Sequence, residues 1–396
     1  MKKKWILIMG SCVLTVILIF VIKYAITRSI EVQIDNLELT ILDENDVKEK
    51  DFLNDKSIAV FFSMTIDQNM FGKGSGLVTF VDDKGDASFL KTNRLEVGTL
   101  ASHNKNLLVS DSEKLLLLGE QSKKFDLEND QHTGEQSGYL HKNNIFYTIF
   151  NSGFTSDGGY GSDIYWINDN ELHNDVLPYF IKSSGQGDDH IYTIYEDDKS
   201  VRLDKVSLNK EMTYENLTSW GEYTYFRYFS NIVADENFIY FVATKRNKAY
   251  LVQMDKQTFE REDFFIDEFE SSEDQSAKTP FMTSENLYIY DDNLYYVDGL
   301  GHVYKFNTSE KTAEPFFQFL EYEKASPNSL HEELVDISNN FMYFFRFNTG
   351  KDEYTLEKYN LDNGERVSQQ ILPDIKIYLE NIQKGGLGTY DISILE

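Results

Sequence analysis

The chain has 396 residues and carries 66 Asp and Glu against 38 Lys and Arg, a formal net charge of −28 at pH 7. Such a charge keeps an exposed domain soluble and repels phosphate backbones, which excludes nucleic acid as a partner. Aromatic residues make up 14%, with 25 Tyr and 29 Phe against 5 Pro; this composition excludes a disordered chain and favours strands that pack on one another.

In chain order, Lys2-Lys3-Lys4 precede an apolar run of 18 residues from Trp5 to Ile22, which Tyr24-Ala25-Ile26 extend past Lys23. About 20 mostly apolar residues cover the hydrocarbon layer of a bilayer, and the Lys23 ammonium can snorkel to its surface. Three lysines before the run outweigh Lys23 and Arg28 after it. The positive-inside rule therefore gives a cytoplasmic tail over 1–4, a single transmembrane helix over 5–26 and an extracytoplasmic domain over 27–396, in the cell membrane. A cleaved signal peptide would have a shorter apolar core and a small-x-small site, and neither is present. Gly10-Ser11-Cys12 is similar to the end of a bacterial lipobox, but Met9 stands where Leu is the rule and the apolar run continues beyond Cys12, so a thiol inside the helix is the better reading. Cys12 is the one cysteine. The expected ectodomain can therefore form no disulfide and use no thiol, which points to a bacterium.

Glu31 to Leu42 alternates apolar and polar residues before an acidic run from Asp43 to Asp51, and Ile58 to Thr65 with Gly76 to Val81 makes the first clear strand pair. A tetrapeptide Asn/Asp-x-apolar-Tyr then recurs at Asn144–Tyr147, Asp189–Tyr192, Asn237–Tyr240, Asn293–Tyr296 and Asn340–Tyr343, its tyrosines 45, 48, 56 and 47 residues apart, with a weaker copy at Asn106–Val109. Apolar runs flank each copy, giving three or four strands per unit, and a stretch such as Phe316 to Leu320 can supply the fourth. One such unit cannot bury both faces alone, so units stack around an axis, as the blades of a β-propeller do. Dividing the length by the repeat predicts an all-β propeller of seven blades, with six and eight as the alternatives. Ile375 to Leu379 and Tyr390 to Leu395 read as strands without a full blade of their own, and the expectation is that they share one with strands from Ile30 to Leu42 and close the ring.

Ile164-Tyr165-Trp166-Ile167-Asn168 and Leu294-Tyr295-Tyr296-Val297-Asp298 resemble the blade motif of YWTD-type propellers, and Tyr359-Asn360-Leu361-Asp362-Asn363-Gly364 resembles the strand and turn of PQQ-like bacterial propellers. The resemblance covers single blades. It implies a ligand- or protein-binding scaffold and transfers no functional residue.

No chemical constellation stands out. The histidines, His103, His132, His141, His173, His190, His302 and His331, show no HExxH or comparable spacing. Gly74-Ser75-Gly76 lacks the flanks of a nucleophile elbow, and no phosphate-binding loop occurs. The Gly-rich stretch Gly153 to Asp163 makes Asp157 and Asp163 the calcium candidates, although it matches neither the EF-hand nor the Asp-box order. Tyr223, Tyr225 and Tyr228 belong to an aromatic run richer than one strand face needs, which makes them candidates for a binding surface. Acidic residues are too abundant for any pair to be informative, so no catalytic residue and no cofactor is assigned.

The sequence thus predicts a membrane-tethered, noncatalytic binding, sensing or scaffold module for a protein, peptide or glycan. The alternatives are a propeller hydrolase or lyase acting on extracellular polysaccharide, which requires acidic side chains converging at one mouth of the ring, and a tethered factor that masks a partner.

Overall fold

The computed structural model describes residues 39–67, 74–120, 122–154, 159–197, 200–221, 226–228, 230–280, 285–308, 311–321, 333–381 and 386–395. Each Asn/Asp-x-apolar-Tyr copy opens the second strand of an antiparallel meander. The two residues of the preceding turn are left-handed at Asn104 and Lys105 (φ +46° and +57°), Asp291 and Asp292 (+48° and +59°), and Asn339 and Asn340 (+46° and +64°). A tight hairpin turn matches the twist of its strands only when both central residues take positive φ, which Asn and Asp tolerate. The tyrosine that follows enters the core: Tyr147, Tyr192, Tyr240, Tyr296 and Tyr343 are all buried, and Val109 takes the place in the weaker copy.

The fold starts with β1 (Thr40–Leu42), β2 (Lys56–Ser63), β3 (Gly76–Asp82) and β4 (Ala87–Thr92), with short 3-10 turns in the acidic stretch between the first two. One meander then contains β5 (Leu100–His103), β6 (Asn106–Ser110), β7 (Lys114–Leu118) and β8 (Lys123–Asp126), and the next β9 (Gly134–Leu140), β10 (Ile145–Phe154), β11 (Tyr160–Asn168) and β12 (Glu171–Leu177). They are followed by β13 (Ile181–Gln186), β14 (Ile191–Glu196), β15 (Ser200–Leu208) and β16 (Met212–Gly221), a short β17 (Phe226–Tyr228), then β18 (Ile232–Ala234), β19 (Phe238–Lys245), β20 (Lys248–Asp255) and β21 (Arg261–Glu268). Helix α1 (Ser272–Lys278) leads to β22 (Leu287–Tyr290), β23 (Asn293–Val297), β24 (His302–Asn307) and β25 (Thr312–Gln318). The last meander has β26 (Leu334–Ser338), β27 (Phe341–Asn348), β28 (Glu353–Asn360) and β29 (Arg366–Ile371), and α2 (Pro373–Asn381) and β30 (Gly388–Ile394) complete the described chain.

Hydrogen bonding groups these strands into six sheets. Four are four-stranded: β5–β8, β9–β12, β22–β25 and β26–β29. Parallel pairing of Gly185 and Gln186 on β13 with Ile232 and Val233 on β18 joins two meanders into one nine-stranded sheet that also holds β17. The remaining sheet is five-stranded in the order β1-β4-β3-β2-β30. First strands of successive meanders are neighbours, β5 beside β9, β9 beside β13, β13 beside β18 and β18 beside β22, and β30 lies between β26 and β5. Apolar clusters fill the spaces between sheets; in one of them Tyr147 and Trp166 pack with Ile191, Val206 and Leu208.

The expected fold class, seven blades after one transmembrane helix, is corrected in two respects. The described strands form six hydrogen-bonded sheets, because a glycine at 185 lets β13 come within bonding distance of β18. No described helix is long and apolar enough to cross a membrane, and residues 1–38, with the segment 5–26 and Cys12, lie outside the described residues.

The ends of the chain do meet in one sheet. β30 pairs antiparallel with β2 from Ile58 opposite Ile394 to Ser63 opposite Gly388, while β1 pairs parallel to β4 at the far edge. The partner of β30 is thus β2, not a strand from 30–42. Ile375 to Leu379, read as a strand, lies in α2: Pro373 takes the first helical position and Asp374 adds an acidic side chain to the first turn. The helix buries Ile375 and Tyr378, the latter stacked on Phe89 with centroids 4.3 Å apart.

A Cβ at Gly185 would lie 1.6 Å from the Ile232 carbonyl oxygen, whereas one at Gly350 would meet nothing nearer than 3.5 Å. Gly185→Ala is therefore expected to destabilise the fold by ~3 kcal/mol, the upper end of overpacking costs, and Gly350→Ala to change little. Denaturant midpoints of the two variants check this. Equal midpoints would mean that the β13–β18 junction does not contribute to stability.

Candidate functional site

The first strands of the meanders face an axial cavity of about 270 Å³. β9 contributes Gln136 and Ser137, β13 Gln186, β18 Ile232 and Val233 with Asn231 just before them, β22 Tyr288 and Tyr290, β26 Asp336, and β30 Ile392; Glu285 reaches it from the segment ahead of β22. Larger grooves lie elsewhere, one of about 530 Å³ bordered by Lys56, Asp83, Lys358 and Gln370, but each draws on neighbouring units only. The axial cavity collects side chains from most of the ring.

Asn231 is committed to the wall: its Nδ2 donates to the Leu287 carbonyl at 2.9 Å, and its Oδ1 accepts from the Leu287 amide at 2.9 Å. A hydroxyl chain runs outward from Ser137, whose Oγ lies 2.6 Å from Thr99 Oγ1 and donates to Thr148 Oγ1 at 3.0 Å. Beside it, Glu135 accepts from Asn151 Nδ2 at 2.8 Å and Ser184 Oγ at 3.1 Å. Burial nevertheless raises the Glu135 carboxyl to about 7, because two neutral donors replace only part of the lost hydration.

The densest chemistry stands where the ring closes. Asp391, 1% exposed on β30, accepts from the Leu100 amide on β5 through Oδ2 at 2.5 Å, and Glu285 is among the groups that act on its carboxyl. Asp336 Oδ2 accepts from the Ile394 amide at 2.9 Å. The Tyr288 hydroxyl lies 2.5 Å from the Val335 carbonyl oxygen and 2.6 Å from that of Glu285. Burial raises both members of the Glu285–Asp391 pair, Glu285 well above the ordinary carboxylate range, with the charges of Asp391 and Asp336 adding to it.

None of these four carboxylates was singled out in the sequence. They come from distant parts of an acidic chain and only ring closure assembles three of them; the one local signal is Asp391 inside Tyr390-Asp391-Ile392-Ser393-Ile394, a strand whose every residue is buried. The residues that were singled out are placed elsewhere. Tyr223, Tyr225 and Asp157 lie outside the described residues, and Tyr228 sits on β17 with its backbone opposite Ala243. Asp163 is on β11, away from the axis, and its Oδ2 accepts from Gln131 Nε2 at 2.8 Å. His103 and His141 meet edge to face at 4.9 Å around Tyr139, yet no group of three or more metal-binding side chains occurs among the described residues. The motif at Ile164–Asn168 falls on a third strand and that at Leu294–Asp298 on a second, so the two are not equivalent copies.

A family model described as "YycP, beta-propeller domain" matches residues 51–395. The chain belongs to this β-propeller family. It is 28% identical over 407 residues, covering 100% of this chain and 99% of the relative, to "Uncharacterized protein YycP" of Bacillus subtilis (strain 168). Among solved structures it is similar to a quinoprotein alcohol dehydrogenase-like protein from Bacteroides thetaiotaomicron, with a TM-score of 0.50, 13% identity, and 86% of this chain and 79% of the other covered. It also resembles BamB from Moraxella catarrhalis, with a TM-score of 0.42, 10% identity, and 74% and 77% covered. The first of these likenesses shows the propeller fold.

Proposed function

We propose that this member of the YycP family is a noncatalytic binding module, held at the outer face of the cell membrane by its basic and then apolar N-terminal segment, which takes a small hydrogen-bonding element into the axial cavity. The observation that carries the reading is the convergence of Gln136, Ser137, Gln186, Tyr288, Tyr290 and Asp336, from several sheets, on one cavity of about 270 Å³. Amides, a hydroxyl, phenol rings and a carboxylate suit a peptide terminus or a single sugar unit. The volume lies just below the range of drug-sized ligand pockets, so it admits the tip of a partner and not an oligosaccharide.

The polysaccharide hydrolase reading loses support from the same geometry. Glycosidase carboxyls stand about 5 to 10 Å apart with the glycosidic bond between them. Asp391 and Asp336 are committed to the wall, accepting from the Leu100 and Ile394 amides, which leaves neither free to flank that bond.

The test is a thermal-shift titration of the full-length protein with two probe sets, free-amine tripeptides and N-acetylhexosamine monomers. One set is expected to raise Tm saturably, as any ligand that binds only the folded state does, by about 2.7 kcal/mol of stabilisation at a hundredfold excess over Kd. Gln186→Leu is expected to remove the shift. Absence of a shift with both sets, or turnover of either, would overturn the reading.

A further inference from the structure

We propose that the groove between the last meander, β26–β29, and the five-stranded sheet is an anion site that takes a small phosphate monoester on Lys358 and Lys105. The site is separate from the axial cavity, and its test does not depend on what that cavity takes.

The groove has a volume of about 530 Å³, within the range of small-molecule sites. Its floor is apolar, from Ile58, Leu356 and Ile394. Lys358 rises from β28 with its Nζ 3.9 Å from the Phe341 ring centroid and 5.1 Å from that of Tyr343. The ring faces attract the ammonium and hold it in place, but they supply no counter-charge. Lys358 and Lys105 have no hydrogen bond or ion pair among the described residues. The third lysine, Lys56, is taken by Asp55 at 3.1 Å, and Gln370 Nε2 donates to the Asp83 carbonyl at 3.3 Å.

The repeat supplies an internal control. In the meander β13–β16, Lys205 of β15 stands opposite Tyr192 on one side and Glu215 on the other, and its Nζ lies 2.5 Å from the Glu215 carboxylate. In β26–β29, Lys358 occupies the same place, opposite the tyrosine of the same repeated tetrapeptide, Tyr343, but the fourth strand offers Ser368 where the other has Glu215. The Lys205 groove, of about 360 Å³, has its charge answered from within, since three lysines face five carboxylates there. The Lys358 groove sets three lysines against Asp55 and the exposed Asp83, an excess of positive charge in a chain whose net charge is −28. In a chain so rich in carboxylates, a half-buried lysine left without one is open to an anion from outside.

The class of anion follows from the donors. An ammonium is a compact point charge without the planar fork of a guanidinium, so it does not select a planar carboxylate and favours dense charge. A phosphate monoester carries about −1.5 to −2 at pH 7, which answers two open ammoniums. The Ser368 hydroxyl stands next to Lys358 in register, where it can donate to a phosphate oxygen, and the apolar floor receives the rest of the molecule. The small excess of positive charge suits a single phosphate and not the run of phosphates in a nucleic acid.

Isothermal titration calorimetry of the full-length protein in mild detergent, with glucose 6-phosphate and glucose as paired probes, tests the site. Saturable binding of the phosphate and none of glucose is expected. Ser368→Glu, at an exposed position, builds in the last meander the pairing that Lys205 and Glu215 already make, and is expected to weaken binding about tenfold or more. Lys358→Met keeps an apolar stem over Phe341 and is expected to do the same. Lys205→Met and Gln186→Leu are expected to bind as the wild type does; the second keeps this site distinct from the axial cavity. No saturable heat up to about 10 mM glucose 6-phosphate would overturn the proposal. So would glucose binding as tightly as its phosphate, or Ser368→Glu binding with wild-type affinity.

Discussion

A chain ended after Leu387 is expected to lose the cooperative fold, and a synthetic peptide of residues 388–396 added in trans to restore it. The deletion removes Tyr390, Ile392, Ile394 and Leu395, all buried, along with the partner of β2. At about 1.5 to 3 kcal/mol for each large buried side chain the loss is roughly 6 to 12 kcal/mol. A whole domain is usually stable by only about 5 to 15 kcal/mol, so the truncation takes most or all of it. It also bares the edge of β2, with Phe61 and Phe62 beside unpaired backbone groups, a surface that favours aggregation. Circular dichroism melts with and without the peptide decide the matter. A truncated chain that melts within a few degrees of the intact one would show that the ring does not depend on β30 for closure.

The same strand shows what the sequence could and could not carry. The repeat was readable because two local requirements coincide in four residues: a left-handed Asn or Asp ends the hairpin turn and a buried aromatic follows on the next strand. Both are matters of nearest neighbours; the buried tyrosine is kept in all five full copies, and the left-handed Asn or Asp in three of them, at Asn144, Asp292 and Asn340. The sharing of one sheet by the two ends was readable in outline from leftover strand segments, but the pairing of β30 with β2 depends on register across the whole chain. α2 was missed although Pro373 and Asp374 are helix-start signals, because the alternating apolar residues from Ile375 to Leu379 also satisfy a strand pattern. The joining of two meanders was hidden in one glycine, since Gly185 reads as a weak spot in a strand until Ile232 is placed against it. The axial carboxylates were hidden by abundance. With 66 acidic residues, Glu285 and Asp336 have no local mark and Asp391 has only the apolar strand around it, so their meaning arises from the closed ring.

Glu357→Leu is expected to cost about 3 to 5 kcal/mol, and the double variant Arg346→Met, Glu357→Leu to recover most of that loss. Glu357 is fully buried on β28, with Arg346 at 2.8 Å, Arg366 at 3.2 Å and the Tyr359 hydroxyl donating at 2.6 Å. Arg346 is 3% exposed and extends the network by donating to the Leu320 and Glu321 carbonyls at 2.9 Å each, while Tyr359 accepts from the Leu320 amide at 3.0 Å. Removing the carboxylate alone leaves the Arg346 guanidinium charged in a dry site with only the two carbonyls to meet it. Removing both charges leaves an apolar pair beside Phe344, and buried ion pairs replaced in this way often cost little, because the desolvation of both ions is avoided together. Arg366 is partly exposed and can turn to water, so it does not repeat the penalty. Urea denaturation of the two single variants and the double one gives the coupling energy. If the double variant is as unstable as Glu357→Leu, then the loss comes from packing around Glu357 and not from the stranded cation.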